Sequence, residues 1–310
     1  MDSRASSPIL GFDVGGTKTS VVVGTPAGTV LERVARPSNA SAGFNSMWAT
    51  MVSSAEELIS RWGQPAAIGV SIGGPLDSDR GIVHSPPNLP GWDEIPLKKL
   101  LTERFGAPTY VEHDARAGAL AEWMFGAAKG ATDVVYLTFG TGLGAGMILG
   151  GRLYRGSDSI AGEVGHWRML RRGPRAYGKA GSWEALSSGA GMPQLARYLY
   201  PKVAWPEDLS ARTLVRLATD GDPRASAVVR VAAGWLGRGI AQLVDLLNPQ
   251  IVVVGSLAVR AGDLFLPTAR RVVDRECLAA NRRCSIVASA LGDEAGDVAA
   301  LCAAIYQAKG

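Results

Sequence analysis

The sequence has little of what would carry a protein out of the cell or into a membrane. Its three cysteines, Cys277, Cys284 and Cys302, are few among 310 residues, odd in number and crowded towards one end. That excludes a secreted disulfide framework and points to a reducing cytosol. Residues 1–7 lack the apolar core of a signal peptide. No run of about 18 apolar residues occurs, so nothing in the sequence reads as a membrane span. Charge of one sign is scarce as well: 32 basic against 28 acidic residues leave +4. Without clustered blocks, that imbalance argues against nucleic acid and against an anionic membrane as partners. The expectation is a soluble cytoplasmic protein. Glycine, by contrast, is abundant, at 39 residues against a usual share of about 7%, and much of it sits in two short clusters. Hydrophobic residues at 47% and charged residues at 19% describe a globular chain, long enough for one large domain or two ordinary ones.

The glycine clusters organise the chain. The first follows an apolar strand, Ile9–Val14, as Gly15-Gly16-Thr17-Lys18. Strands at 20–23 and 30–36 come next, and then a helix over 45–62 with a cap near its start. A buried-type strand, Ala67–Ile72, ends in the turn signal Gly73-Gly74-Pro75. A helix is expected over 93–105, a strand over 109–112 that stops at His113-Asp114, and a helix over 115–128. The pattern then restarts: strand Val134–Phe139, the turn Gly140-Thr141-Gly142-Leu143-Gly144, an outgoing strand over 145–149 and a short strand, Arg152–Tyr154. Strand, glycine turn, strand and short strand therefore occur twice, and alternating helices and strands follow each copy. This predicts two α/β lobes of related topology. Further on, Pro223–Leu247 reads as one long helix, Ile251–Val254 as a strand running into Gly255-Ser256, 261–274 as a helix and 285–289 as a strand. The last helix, over 293–307, reads as amphipathic and is expected to pack back onto the first lobe. Residues 168–182, rich in arginine and glycine, read as a loop or flap.

The first cluster is not a Walker loop, because the spacing G-x-x-x-x-G-K-[ST] is absent, nor a dinucleotide fingerprint, because no G-x-G-x-x-G opens a helix; its glycines join two strands. A hairpin of glycines lets backbone N–H groups come close to an anion, and the hydroxyls of Thr17, Thr138 and Thr141 add donors. The carboxylate of Asp13, at a strand end, is placed to hold Mg²⁺ directly or through water. One such hairpin alone reads as an ordinary turn, whereas two can cradle a single polyphosphate. Asp114 stands at the end of a strand and the start of a helix, where open α/β sheets place ligands. It could take a proton from a substrate hydroxyl, or equally serve as the N-cap of the following helix. Glu163 and His166 flank a glycine and together suit a polyhydroxyl ligand.

These segments, in this order and spacing, resemble the ROK family, the bacterial sugar kinases and sugar-responsive repressors of the actin-like ATPase superfamily. The resemblance spans roughly Ile9 to Tyr306. Its most specific stretch is 138–166, with Gly162-Glu163-Val164-Gly165-His166. Asp13–Thr17, Gly73-Gly74-Pro75, Asn88-Leu89-Pro90-Gly91-Trp92 and Leu247-Asn248-Pro249 support it. The resemblance implies a two-lobed actin-like ATPase (ribonuclease H-like) α/β fold. Residues 1–115 and 291–310 would form a smaller lobe, and 116–290 a larger one. It implies ATP-dependent transfer of a phosphoryl group to a hexose hydroxyl with Asp114 as the base. Gly74, Asn88, His113, Asp114, Glu163, His166 and Glu184 would hold the sugar. Asp13, Gly15, Gly16, Thr17, Lys18, Thr138, Gly140, Thr141, Gly142, Gly189, Gly255 and Ser256 would lie along ATP, with Mg²⁺ at Asp13, and a homodimer would be usual.

The sequence departs from that family in places. Relatives place a zinc between the histidine matching His166 and a C-x-C-G-x-x-G-C cluster, but residues 175–184 here read Arg-Ala-Tyr-Gly-Lys-Ala-Gly-Ser-Trp-Glu. The glycines and the glutamate remain and the cysteines do not. No zinc is therefore expected, with Trp183, Tyr177 and hydrogen bonds holding the loop instead. His113 stands where asparagine is usual, which leaves the sugar's identity open, and Arg116 is atypical too. Gly255-Ser256 replaces a pair of glycines. The repressor branch needs a DNA-binding module ahead of the first strand, and about eight residues precede Ile9. A sugar sensor with a degenerate site, and a kinase using polyphosphate as donor, are the other readings.

Overall fold

The computed structural model describes residues 7–308. The chain opens with three antiparallel strands, β1 (Ile9–Val14), β2 (Lys18–Gly24) and β3 (Val30–Pro37), followed by α1 (Gly43–Trp62) and β4 (Ala67–Ile72). A small hairpin of β5 (Leu76–Asp77) and β6 (Ile82–Val83) leads to α2 (Leu97–Phe105), β7 (Thr109–His113) and α3 (Asp114–Met124). The second copy is β8 (Val134–Phe139), β9 (Leu143–Leu149) and β10 (Arg152–Tyr154). A two-stranded hairpin follows, β11 (Arg175–Ala176) and β12 (Lys179–Ala180), and then α4 (Trp183–Ser187), α5 (Gly191–Leu199), α6 (Ala211–Thr219) and α7 (Pro223–Leu247). The chain ends with β13 (Ile251–Val254), α8 (Leu257–Glu276), β14 (Ser285–Ala288) and α9 (Ala295–Gln307). Among the described residues no helix is long and apolar enough to cross a membrane.

The chain divides into two compact units. Of the described residues, one comprises 7–126, Leu153–Ala161 and 293–308, and the other Ala127–Arg152 and Gly162–Gly292. α3 falls in the first unit because it packs against α9, with Trp123 meeting Tyr306 edge-on.

In the first unit the sheet order is β3-β2-β1-β4-β7, with β1, β4 and β7 parallel. These central strands are apolar almost throughout because both of their faces are covered. Leu10, Phe12 and Val14 point into a core shared with Met47, Met51 and Leu58 of α1 and Leu97 and Leu101 of α2. The opposite face receives α9, through Leu301, Ala304 and Ile305. α9 comes close because Gly69 has no side chain: a Cβ there would lie 2.0 Å from the carbonyl oxygen of Ala300. In the second unit the strands run β9-β8-β13-β14, with β8, β13 and β14 parallel. The long α7 begins at a proline capped by Asp222, whose carboxylate accepts from Arg224 N and Ala225 N at 2.9 and 2.7 Å.

Several element ends differ from the sequence reading. α1 starts before Asn45, with no side-chain cap. Residues 93–96 are not helical, because Ile95 bridges to Val83 and Glu94 binds His84. α3 stops at Met124, where the ring of Phe125 turns in to cover Gly28. α8 starts earlier than expected, at Leu257, and carries a kink at Ala261. α9 is not amphipathic: residues 297–305 are all buried, against the sheet on one side and α3 on the other. Residues 168–182 are not plain loop, since they contain the β11–β12 hairpin and a bridge between Arg168 and Ser182.

Candidate active site

In the first unit, strand register gathers the candidates. Val14 lies beside Ile72, and Ile72 beside His113, across the three parallel strands. Asp13, Gly74, His113 and Asp114 thus lie along one edge, at the carboxyl ends of the strands, where open sheets bind ligands. Gly74 packs against the imidazole of His113, since a Cβ there would come within 2.8 Å of Cδ2. His113 is the N-cap of α3, and its Nδ1 accepts from Ala115 N at 3.3 Å. Asp114 is the first helical residue, so the N-cap reading of Asp114 is corrected. Asp114 Oδ1 accepts from Ala115 N at 2.6 Å and lies 3.3 Å from His113 Nδ1, and the side chain remains 48% exposed.

The first glycine hairpin is close-set. Gly15 N donates to Lys18 O at 3.1 Å, and Ser38 closes the turn by donating its hydroxyl to Gly15 O and its N–H to Thr17 O. Gly16 is obligatory for space: a Cβ would sit 2.7 Å from the carbonyl oxygen of Asn88. The hairpin and the Asn88 loop therefore touch, and buried Leu89 and Trp92 anchor that loop. Thr17 and Lys18 are exposed at the tip.

Asp13 has a neighbour the sequence reading missed. Asp297, on α9, is buried, accepts from Ser20 Oγ and pairs with Arg33 Nε at 3.0 Å. Burial, and then the charge of Asp297, push the Asp13 carboxyl up to about 7; Lys18 and Arg33 oppose the shift and Asp114 adds to it. A carboxylate that holds a proton so firmly is short of compensating charge, and this donor set fits a hard cation such as Mg²⁺, which takes few protein oxygens. The sequence signal for Asp297 is slight, an aspartate leading an otherwise apolar helix.

In the second unit the other candidates also come together. Thr138 Oγ1 accepts from Gly144 N at 2.9 Å and Gly140 N donates to Gly142 O at 3.1 Å. Gly189 N donates to Gly140 O at 2.7 Å and Ala190 N to Thr141 O at 3.0 Å, tying the α4–α5 junction to the hairpin. Gly255 continues β13 with its N–H donating to Leu137 O at 2.9 Å, and a Cβ there would strike the hydroxyl of Tyr136 at 2.2 Å. Ser256 lies beside Gly140, with its backbone at φ 51° and ψ −102°, outside the regions a non-glycine residue ordinarily adopts.

Glu184 reaches the same hairpin, its Oε2 accepting from Leu143 N at 2.9 Å. Burial raises its carboxyl above the ordinary range; the Leu143 N–H and His166 pull it down, and Glu163 pushes it further up. Gly165 lets the Glu163–His166 turn lie on β9, because a Cβ there would meet Leu143 O at 2.3 Å. Glu163 and His166 are exposed and Glu184 is buried beneath them. Glu163 and His166 at the surface, with the Glu184 carboxylate close enough to feel both charges, suit vicinal hydroxyls, each able to donate to one group and accept from another.

A zinc ion does not fit beside His166. The imidazole is stacked by Tyr177 and the ammonium of Lys179 donates to the His166 carbonyl oxygen, so the residues packed on His166 supply neither the thiolates nor the further imidazoles that a tetrahedral zinc site takes. Among the described residues no group of three or more His, Cys, Asp or Glu gathers as a metal centre would. Trp183 is fully buried, stacked on Trp167 with ring centroids 5.8 Å apart, and fixes the base of the loop.

The chain matches the ROK family over residues 9–306. It is 32% identical over 308 residues to a glucokinase of Streptomyces coelicolor, covering 94% of this chain and 95% of that one. In three dimensions it is similar to a ROK hexokinase from Thermus thermophilus, with a TM-score of 0.84, 34% identity and coverage of 97% and 99%. It is likewise similar to a ROK family glucokinase from Streptomyces griseus in complex with glucose and AMPPNP, with a TM-score of 0.84, 29% identity and coverage of 98% and 100%. The fold is the actin-like ATPase fold of these kinases, and the chain belongs to the ROK family.

Proposed function

We propose that the protein is a sugar kinase that moves the γ-phosphoryl group of ATP to a hydroxyl of a hexose or hexose derivative. The observation that carries this reading is the grouping of Asp13, Gly74, His113 and Asp114 at the carboxyl ends of β1, β4 and β7, in a chain whose full-length relatives include a glucokinase and a hexokinase. Asp114 acts as general base. It takes the proton of the attacking hydroxyl as the sugar oxygen bonds to the γ-phosphorus and ADP leaves. Help of this kind is typically worth 10²–10⁴-fold, and positioning and charge neutralisation supply the rest. Its contact with Ala115 N holds the carboxylate at the head of α3.

Asn88, His113, Glu163, His166 and Glu184 hold the sugar, with Gly74 keeping the His113 ring in place. Gly15, Gly16, Thr17 and Lys18 of one hairpin and Thr138, Gly140, Thr141 and Gly142 of the other line the phosphates, with Gly189, Gly255 and Ser256 beside the nucleoside. Asp13 would hold Mg²⁺, which when bound neutralises phosphate charge.

The test is coupled ADP release over glucose, mannose, fructose, allose and the N-acetyl hexosamines, with ATP and with polyphosphate as donors. Turnover on one of these sugars with ATP is expected. Asp114→Asn should keep sugar affinity within a few-fold and lose nearly all turnover. Sugar binding by calorimetry without turnover on any donor would make the protein a sensor and overturn the kinase reading.

A further inference from the structure

The β11–β12 hairpin holds an unusual residue at its tip. The two central turn residues, Tyr177 and Gly178, both have left-handed backbones, at φ 48° and 72°. Arg175 pairs with Ala180 and Ala176 with Lys179, so the loop is the two-residue type that favours Asn-Gly. A bulky aromatic residue at the first of these positions is strained. Burial of the ring does not offset that strain, because Tyr177 is 54% exposed. The ring instead lies face to face on the imidazole of His166, with centroids 5.4 Å apart and planes 12° from parallel.

Other contacts aim the hairpin at the same place. Lys179 Nζ donates to the His166 carbonyl oxygen, and Arg168 Nη1, two residues beyond His166, donates to Ala180 O at 2.8 Å. Arg175 Nη1 closes the turn on Gly178 O at 3.1 Å. Laid along the C-x-C-G-x-x-G-C pattern, Tyr177 occupies one of the cysteine positions.

We propose that Tyr177 is a positioning residue for His166, a stacking clasp that sets the imidazole for a sugar hydroxyl and thereby shapes sugar specificity. The chemistry differs from that of a metal clasp. A metal would take one ring nitrogen as its ligand, whereas a stacked phenol covers a ring face and takes neither. Both nitrogens, which lie in the ring plane, stay available, so one can donate to a hydroxyl while the other accepts. The inference rests on the reading of His166 as a sugar contact.

Two measurements separate the clasp from that reading. The chain has three histidines, so the imidazole protons of His166 can be assigned by NMR using His166→Gln. The Tyr177 ring current should shift them, Tyr177→Phe should keep the shift, and Tyr177→Asn should abolish it, all without sugar. In turnover, Tyr177→Asn should raise KM for the sugar by about 3- to 10-fold, the size of one aromatic stacking contact, with kcat within about twofold and Tyr177→Phe restoring the parent KM. Asparagine suits the turn better than tyrosine, so Tyr177→Asn should melt no lower than the parent. A His166 shift that is the same in Tyr177→Asn as in the parent overturns the clasp. A lost shift with unchanged KM keeps the clasp and overturns the role of His166 in sugar binding. A lower Tm together with an unchanged KM reduces Tyr177 to a structural residue.

Discussion

The carboxylate of Asp13 rests on the backbone of Gly296: a Cβ built on that glycine would sit 2.4 Å from Oδ2 and 2.9 Å from Cγ. A short side chain on a central strand cannot swing clear of such a contact, so Gly296→Ala should displace the carboxylate. Alanine also suits the first turn of α9 better than glycine, which keeps the fold. The expected result is a parent-like Tm with kcat/KM lower by about 10²-fold, the loss that a misplacement of about 1 Å in an active site can cause. Full activity in this variant would remove Asp13 from the phosphate machinery.

Asp13 and Asp297 also set a pH dependence of stability. The Asp13 carboxyl is raised from 3.8 to about 7, by burial first and by Asp297 second. A carboxyl raised by folding binds a proton more tightly in the native than in the unfolded state. Its contribution to stability therefore declines as pH climbs from about 4 to about 7, and above that the full penalty of the buried charge remains. Asp13→Asn removes the charge. In metal-free buffer this variant should melt higher than the parent at pH 8, with the gap narrowing steadily towards pH 5. A gap that widens as pH falls would contradict the assignment.

Both glycine hairpins are legible in the sequence because each follows an apolar strand and carries its own turn residues, which is local information. The strand-end place of Asp114 is legible for the same reason. What is not legible depends on tertiary hydrogen bonds. Asp93 and Glu94 read as a helix start, but Ile95 is taken by Val83 and Glu94 by His84, so α2 waits for Leu97. The Asp13–Asp297 pairing joins opposite ends of the chain through α9. The helix itself misleads, because its alanines and Gly296 give it two buried faces where one was expected.

His113 combines two roles that a substitution can separate. Its Nδ1 caps α3 and its ring packs on Gly74. Asparagine is among the best N-cap residues, so His113→Asn should keep α3 while removing the imidazole from the proposed sugar site. The ratio of kcat/KM between two hexoses that differ at one hydroxyl should change by about 10-fold or more, because a site built to hydrogen-bond a hydroxyl discriminates strongly. An unchanged ratio across the sugar panel would place His113 outside the specificity determinants.

Directly behind His113 lies a buried ion pair, and it carries the last prediction. Glu112 and Arg116 are each 2% exposed, with Arg116 Nε 2.6 Å from Glu112 Oε1 and Arg155 Nη2 2.8 Å from Oε2. Arg116 also donates to Ser78 Oγ at 3.0 Å and to Ser159 O at 2.8 Å, which ties the β5–β6 hairpin and the 153–161 stretch to the head of α3. Burial alone would raise the Glu112 carboxyl, but Arg116 and Arg155 overcome it and hold the group below its ordinary 4.5. Such a lowered carboxyl contributes stability above its unfolded value, which is lost as pH falls through the lower native one. Arg116→Met leaves Glu112 only partly compensated, and breaking a buried pair costs about 3–5 kcal/mol. At pH 7 its Tm should fall by roughly 10 °C, with the deficit shrinking in acid as Glu112 takes up a proton. Adding Glu112→Gln should restore much of the loss, because an apolar or neutral replacement of both partners is often tolerated. An Arg116→Met variant as stable as the parent at pH 7 would mean that Arg155 alone compensates Glu112 and that Arg116 is dispensable to the scaffold behind Asp114.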